Sequence, residues 1–255
     1  MTRIIHFTDM HLRWHQSGTA TDPLRLSREM PALLDRFSRC IKEHNPDVLV
    51  MSGDLLDTPG AVLKGGSPDD KAHGEWIDDT EADFKLVKAW FDGTGIPYVV
   101  VPGNHDHEGV FASVFGGPPE PVDIAGLRFF SFWDELSGEQ QPLRTGARKA
   151  LFDAAMTDDA NNCPQIHVHH YMINPPTFAK NKHYQYFTAD ELKADVERTG
   201  RVRAVLSGHY HPGTLVEGAT VHSGAPAFCE APHPYRLYEL AEDGSTVVTD
   251  HAVDG

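Results

Sequence analysis

Apolar runs of strand length recur along the chain, and nearly all stop at a polar, ligand-type turn. Arg3–Thr8 reads as a buried strand and runs into "TDMH". "DVLVMSGD" is a second, "PYVVVPGNHD" a third, "QIHVHHY" a fourth and "VRAVLSGHYH" a fifth; "LRFFSFW" is also strand-like. Between them lie segments with the 3.6-residue period of amphipathic helices. In "LSREMPALLDRFSRCIKEH", Met30, Leu33, Leu34, Phe37 and Ile41 share one face. In "EADFKLVKAWFDGTG", Phe84, Val87 and Phe91 do, and the glycines suit a C-cap. "RTGARKALFDAAM" has helical composition, and "TADELKADVERTG" opens with a capping box, Thr188 to Glu191. Strands alternating with helices imply parallel βαβ units covered on both faces. The last forty residues break into short alternating segments, which predicts antiparallel pairing. Residues 58–80 carry Gly, Pro and Asp without a period and read as a loop-like insertion. No internal repeat or linker stands out, so a single domain over residues 1–255 is expected.

Bulk properties exclude more than they select. With 22 Lys and Arg against 37 Asp and Glu, the formal charge is −15. Such a surface repels nucleic acid and anionic membranes at long range, so neither is an expected partner, and nuclease activity is disfavoured. Cys40, Cys163 and Cys229 are odd in number and far apart, against a disulfide framework or a thiolate metal site. The N-terminus is strand-like rather than a secretory signal, and no run approaches the roughly 18 apolar residues of a membrane helix. A cytoplasmic location is the expectation; a homo-oligomer is compatible with the sequence and not dictated by it.

The polar residues after the strands set the chemistry. They are Asp9 and His11; Asp54; Asn104, His105 and Asp106; His169 and His170; and His209 and His211. In open α/β sheets, ligands bind in the crevice beyond the strand C-termini. Carboxylate, amide carbonyl and imidazole suit Mn²⁺, Fe or Zn²⁺. Glycine before Asp54, Asn104 and His209 lets the backbone turn and approach closely. Turn and cap chemistry explains any one of these residues but not the ordered set.

The ordered pattern D-x-H, G-D, G-N-H-D, H, G-H-x-H, from Asp9 to His211, resembles the calcineurin-like metallophosphoesterase superfamily, and within it the bacterial cyclic-nucleotide phosphodiesterase-like group. The resemblance implies an α/β fold, a four-layer αββα sandwich of two mixed sheets flanked by helices. It implies two divalent metals (Mn, Fe or Zn). Asp9, His11, Asp54 and His211 would hold one; Asp54, Asn104, His169 and His209 the other, with Asp54 bridging. His169 is favoured over His170, since the first His of "HHP" is the ligand in many relatives, although this chain reads "HHY". In an extended chain, side chains two apart share a side, which lets His209 and His211 reach adjacent metals. With a bridging hydroxide the site is left near +1 inside a negative protein, which attracts a phosphate ester locally.

The implied reaction is hydrolysis of small phosphodiesters, of cyclic-nucleotide or glycerophosphodiester type, by hydroxide attack between the metals. His105 would serve the leaving group and Asp106 would orient His105. A phosphomonoesterase acting on a sugar phosphate, nucleotide or phosphoprotein is the alternative, and a non-catalytic scaffold of the same fold the third. Candidate substrate contacts are His170, Tyr210, His222 and His183, with Lys180, Lys182 and Tyr184 of "MINPPTFAKNKHYQYF" as further possibilities. His6 and His167 lie within strands and read as core histidines.

Overall fold

The computed structural model describes residues 1–20, 22–137, 139–176 and 182–253. The chain runs β1 (Thr2–Phe7), α1 (Met30–His44), β2 (Val48–Met51), α2 (Gly60–Leu63), α3 (His73–Thr94), β3 (Tyr98–Val100), α4 (Glu108–Phe115), β4 (Val122–Ile124), β5 (Leu127–Phe132), β6 (Glu135–Leu136) and β7 (Pro142–Leu143). It continues through α5 (Gly146–Thr157), β8 (Gln165–His169), α6 (Ala189–Thr199), β9 (Val202–Ser207), β10 (Thr214–Val216), β11 (Val221–Gly224), β12 (Pro234–Leu240) and β13 (Thr246–Ala252). Two large mixed sheets, in the orders β13-β12-β1-β2-β3 and β10-β11-β9-β8-β5-β4, are flanked by helices. This is the arrangement the resemblance implied.

The helical stripes are real. α1 buries all five predicted residues, has proline in its first turn and ends at Asn45 in the left-handed region. α3 ends at Gly95 with φ 70°. One apolar cluster joins α1 and α3 to the first sheet and continues into Phe129, Ile166, Val168, Ala204 and Leu206 on the inner face of the second. A separate cluster packs α5 and α6 onto the outer face of the second sheet through Phe130, Phe132, Phe152, Leu192 and Val205. Neighbours along each strand thus belong to different layers, as the two-residue period requires.

Two local expectations need correction. Residues 58–80 are not simply a loop, because Gly60–Leu63 and everything from His73 onward are helical. α3 begins eight residues before the apolar period at Glu81, because its first turns are mostly polar. Trp76 and Thr80 nevertheless extend the buried stripe of Asp83, Phe84, Val87 and Phe91, and Glu75 accepts the Ala72 N–H at 3.0 Å to cap the helix. The capping box at α6 does not form: Thr188 makes no side-chain cap hydrogen bond.

Candidate metal centre

The strand ends supply the site. β1, β2 and β3 are parallel neighbours, as are β5, β8, β9 and β11, so their C-terminal ends deliver successive loops to the junction of the two sheets. Main-chain bonds tie these loops together. Asp9 N–H donates to Gly53 O (3.0 Å), His11 N–H to Asp54 O (2.9 Å), and Cys229 N–H to Asp9 O (3.0 Å). His209 N–H donates to Asp9 Oδ2 (2.9 Å) and His105 N–H to Asp54 Oδ1 (2.8 Å). From α3, the buried Asp83 carboxylate accepts the N–H groups of Trp14, His15 and Gln16, fixing the chain just after His11.

Asp9, His11, Asp54 and His209 all have positive φ, between 47° and 66°. Such backbones cost about 1–3 kcal/mol each and persist where the surroundings over-determine them. The glycines serve close approach. A Cβ on Gly103 would collide with Asp54, and one on Gly208 with Thr8 and Asp9.

These constraints gather the donors into two groups sharing Asp54. In the first, Nε2 of His11 lies 3.7 Å from Asp9 Oδ1 and 3.6 Å from Asp54 Oδ2, and Nε2 of His211 lies 3.6 Å from Asp9 Oδ1. In the second, Nε2 of His170 lies 3.4 Å from Asp54 Oδ2 and 3.2 Å from Asn104 Oδ1, with the His209 ring 4.9 Å away between centroids. Oδ2 of Asp54 thus faces both groups. Donors bound at roughly 2.1 Å to one tetrahedral ion stand roughly 3.4 Å apart, close to the observed spacings. Asp9 Oδ1, His11 Nε2 and His209 Nε2 are buried and, among the described residues, without a hydrogen-bond partner, a costly state for polar atoms with nothing to bind. The donor set fits two divalent cations.

The electrostatics agree. Burial pushes the His11 imidazole down, but Asp57, Asp9 and Asp54 outweigh it and raise it to about 9. Burial likewise opposes His170, and Asp54 and Asp9 raise it to about 9. Burial works against the Asp9 and Asp54 carboxyls, yet the surrounding imidazoles hold both below the ordinary carboxylate range. The carboxylates thus favour positive charge among these rings.

Most predicted residues converge here: Asp9, His11, Asp54, Asn104, His105, His209 and His211. His169 does not. β8 puts His167 and His169 on the outer face, whereas Ile166 and Val168 point inward with His170. Nδ1 of His169 bonds the Tyr171 carbonyl, and burial together with nearby Arg144 holds its imidazole well below its usual pKa. Strand parity, rather than the "HHP" pattern, matches the side chain that faces the donor groups. The Gly208–His211 segment is also not extended. His209 has φ 66° and Tyr210 N–H donates to Gly208 O at 2.7 Å, so a turn, not strand alternation, sends the two histidines to different groups.

Asp106 does not face His105. Its carboxylate accepts the N–H groups of Leu55, Leu56 and Gly103, bracing the second and third loops. Burial and the Asp54 charge push its carboxyl up to about 7 against those amides. The partner of His105 is Asp57, with Oδ1 3.5 Å from His105 Nδ1 and 3.6 Å from His11 Nδ1. Asp57 stands three residues past Asp54 in "GDLLD", where the sequence alone does not mark its role. Glu230, 2.6 Å from Nδ1 of His211, stands nineteen positions beyond His211 with no motif around it, so only the fold brings the two together.

A cavity of about 730 Å³ opens over the donors, lined by Asp54, Asn104, His105, His209 and His211, with Asp22, Arg25, His183, Tyr184 and Glu230 around them. His183 is placed as suggested. Tyr210 does not line the cavity; its ring meets Tyr184 edge-on at 5.3 Å. His222, in β11 of the second sheet, is buried beside α6 with Nε2 3.9 Å from Glu197, and does not line the cavity. Lys180 and the side chain of Lys182 lie outside the described residues.

Fold and donor set together define a two-metal hydrolase architecture, and comparison with known proteins agrees. The calcineurin-like phosphoesterase family model matches residues 2–213, so the chain belongs to that family. A curated relative from Synechococcus sp., named "Probable cyclic nucleotide phosphodiesterase", is 27% identical over 273 residues, covering 98% of this chain and 92% of the relative. Among solved structures, a dimetal phosphatase from Danio rerio superposes with a TM-score of 0.71 at 14% identity, covering 99% of this chain and 96% of that one. A calcineurin-like phosphoesterase from Bacillus subtilis gives 0.55 at 13% identity, covering 100% and 91%. At such identities the structures establish the fold alone. The three cysteines are unpaired, and among the described residues no helix is long and apolar enough to cross a membrane.

Proposed function

We propose that the protein is a dimetal phosphodiesterase acting on small diesters, cyclic nucleotides foremost. The observation that carries the reading is Asp54 Oδ2, placed 3.6 Å from His11 Nε2 and 3.4 Å from His170 Nε2, so that one carboxylate joins two donor groups at the floor of the cavity. In this reading Asp9, His11, Asp54 and His211 hold one divalent cation, and Asp54, Asn104, His170 and His209 the other. Bound in this way, the ions supply Lewis-acid charge to the phosphoryl oxygens and acidify water. The chain's own residues do the rest. His105, partly exposed at the cavity wall, holds a proton for the departing oxygen. Asp57 fixes the ring from behind through Nδ1, and Glu230 does the same for His211. The carboxylates of Asp9 and Asp54 lie at the floor of the cavity, with side chains essentially unexposed.

Support for a nucleotide comes from the rings beside the second donor group. Tyr184 and His183 line the cavity, 5.2 and 5.4 Å from the His209 ring, and Tyr210 backs Tyr184. Such a wall suits the planar base of a nucleoside phosphate. The name of the Synechococcus relative points the same way. The test is turnover of bis(p-nitrophenyl) phosphate beside p-nitrophenyl phosphate by metal-stripped protein reloaded with Mn²⁺, followed by a panel of 3′,5′-cyclic nucleotides and glycerophosphodiesters. Faster diester turnover with preference for cyclic nucleotides is expected. Turnover of the monoester alone would overturn the diester reading.

A further inference from the structure

Arg25 belongs to the loop between β1 and α1, outside every motif described above, yet it lines the same cavity as Asp54, Asn104 and His105. Its Nη1 donates to Oδ1 of Asp57 at 3.1 Å, the same oxygen that faces His105 Nδ1 at 3.5 Å. One carboxylate oxygen therefore holds the guanidinium and the imidazole side by side at the cavity wall.

Asp57 does not need Arg25 for charge balance. Arg13 donates to its Oδ2 at 2.6 Å and grips its carbonyl through Nε and Nη2, with Nη1 on the Thr19 carbonyl. Arg13 is thereby fully engaged in holding the loop. Two guanidinium groups meet one carboxylate, which leaves about one positive charge at the wall. Of the acids that line the cavity, Asp54 belongs to the donor groups, Glu230 pairs with His211, and Asp22 Oδ1 accepts the Leu24 N–H at 3.0 Å. The Arg25 side chain is only 19% exposed, and its loop is anchored by Leu26 N–H to the Cys229 carbonyl at 2.9 Å. It is a pre-set planar fork rather than a free surface arginine, and such a fork matches phosphoryl oxygens.

We infer that Arg25 is a substrate-binding residue, taking a non-bridging phosphoryl oxygen through Nη2, since Nη1 is held by Asp57 and Nε is buried. This rests on the phosphoesterase reading above. Its role is distinct from that of the metals: it recognises the anion from the side of the wall that carries His105. Arg25 therefore lowers KM and strengthens product inhibition.

The experiment uses the Mn²⁺-reloaded protein and inorganic phosphate as the probe. The phosphate inhibition constant, the KM for bis(p-nitrophenyl) phosphate and the metal content are measured for the parent, Arg25→Gln and Arg25→Lys. With metal content unchanged, phosphate inhibition in Arg25→Gln should weaken by about 10- to 100-fold and KM should rise, with Arg25→Lys intermediate. A residue that only steadied Asp57 would change kcat and its pH profile and leave phosphate inhibition within twofold; that result overturns the inference. Should Arg25→Gln not fold, Arg25→Lys alone decides by the same constant. Should the parent hydrolyse neither ester, the phosphoesterase reading falls, and calorimetric titration of inorganic phosphate into the same proteins still judges Arg25.

Discussion

Nδ1 of His105 lies 3.5 Å from Oδ1 of Asp57, and the adjacent Asp106 turns away to three backbone amides. Burial would raise the Asp57 carboxyl, but His105, His11 and Arg13 outweigh it and hold it ionised. His105→Ala should keep its metals and lose about 10²- to 10⁴-fold in kcat on bis(p-nitrophenyl) phosphate. Asp57→Asn should lose roughly 10- to 100-fold and also bind metal more weakly, since Asp57 Oδ1 faces His11 Nδ1 at 3.6 Å. Full turnover in either variant would remove the pair from the mechanism.

His170 and His169 are neighbours with opposite fates. His170→Ala takes a donor from beside Asp54 and Asn104, so metal analysis after reloading should find close to one ion per chain instead of two. His169→Gln, on the outer face of β8, should retain both. The reverse pattern would restore His169 as the ligand.

How far the sequence carried this result differs by residue. The loops holding Asp9, Asn104 and His211 follow buried strands, and an apolar run that stops at a polar turn is a local signal. The α1 and α3 stripes were legible for the same reason. His170 was recoverable from strand parity, because Ile166 and Val168 had already fixed the inward face of β8. Asp57, Glu230 and Arg25 are another matter. Their roles come from contacts across 19 to 48 positions, His211 to Glu230 and His105 to Asp57, which no local period encodes. Asp106 is next to His105 in sequence but not in function, because its carboxylate turns to the Leu55, Leu56 and Gly103 amides.

Removing metal should cost stability. Asp9 Oδ1, His11 Nε2 and His209 Nε2 have no hydrogen-bond partner among the described residues to fall back on. Mn²⁺ at a hundredfold excess over a site's Kd adds about 2.7 kcal/mol per site, which for a chain of this size is a rise of about 5–10 °C in Tm. Scanning calorimetry of chelator-treated protein before and after Mn²⁺ addition checks this. A Tm that does not move would mean these donors bind no ion in the folded state.

His167 sets an acid limit on stability that is independent of the metals. It sits among Phe130, Phe132 and Phe152 with Gln165 Oε1 2.9 Å from its Nε2, and burial, helped by Arg144, holds its imidazole well below the ordinary value of 6.5. The folded chain therefore keeps His167 neutral where the unfolded chain protonates it. Between pH 6.5 and the folded value the unfolded state binds more protons, so stability falls as pH falls, by about 1.4 kcal/mol per pH unit for this one residue. Other groups add slopes of their own, so the measurement is a difference. Urea unfolding of the chelator-treated parent and of His167→Gln is compared at pH 6.5 and pH 5. His167→Gln keeps an amide near Gln165 and cannot titrate. Whatever its absolute cost, it should lose about 2 kcal/mol less than the parent over that interval. Equal losses in the two proteins would show that His167 is protonated in the folded state, and that the apolar pocket beneath α5 admits charge.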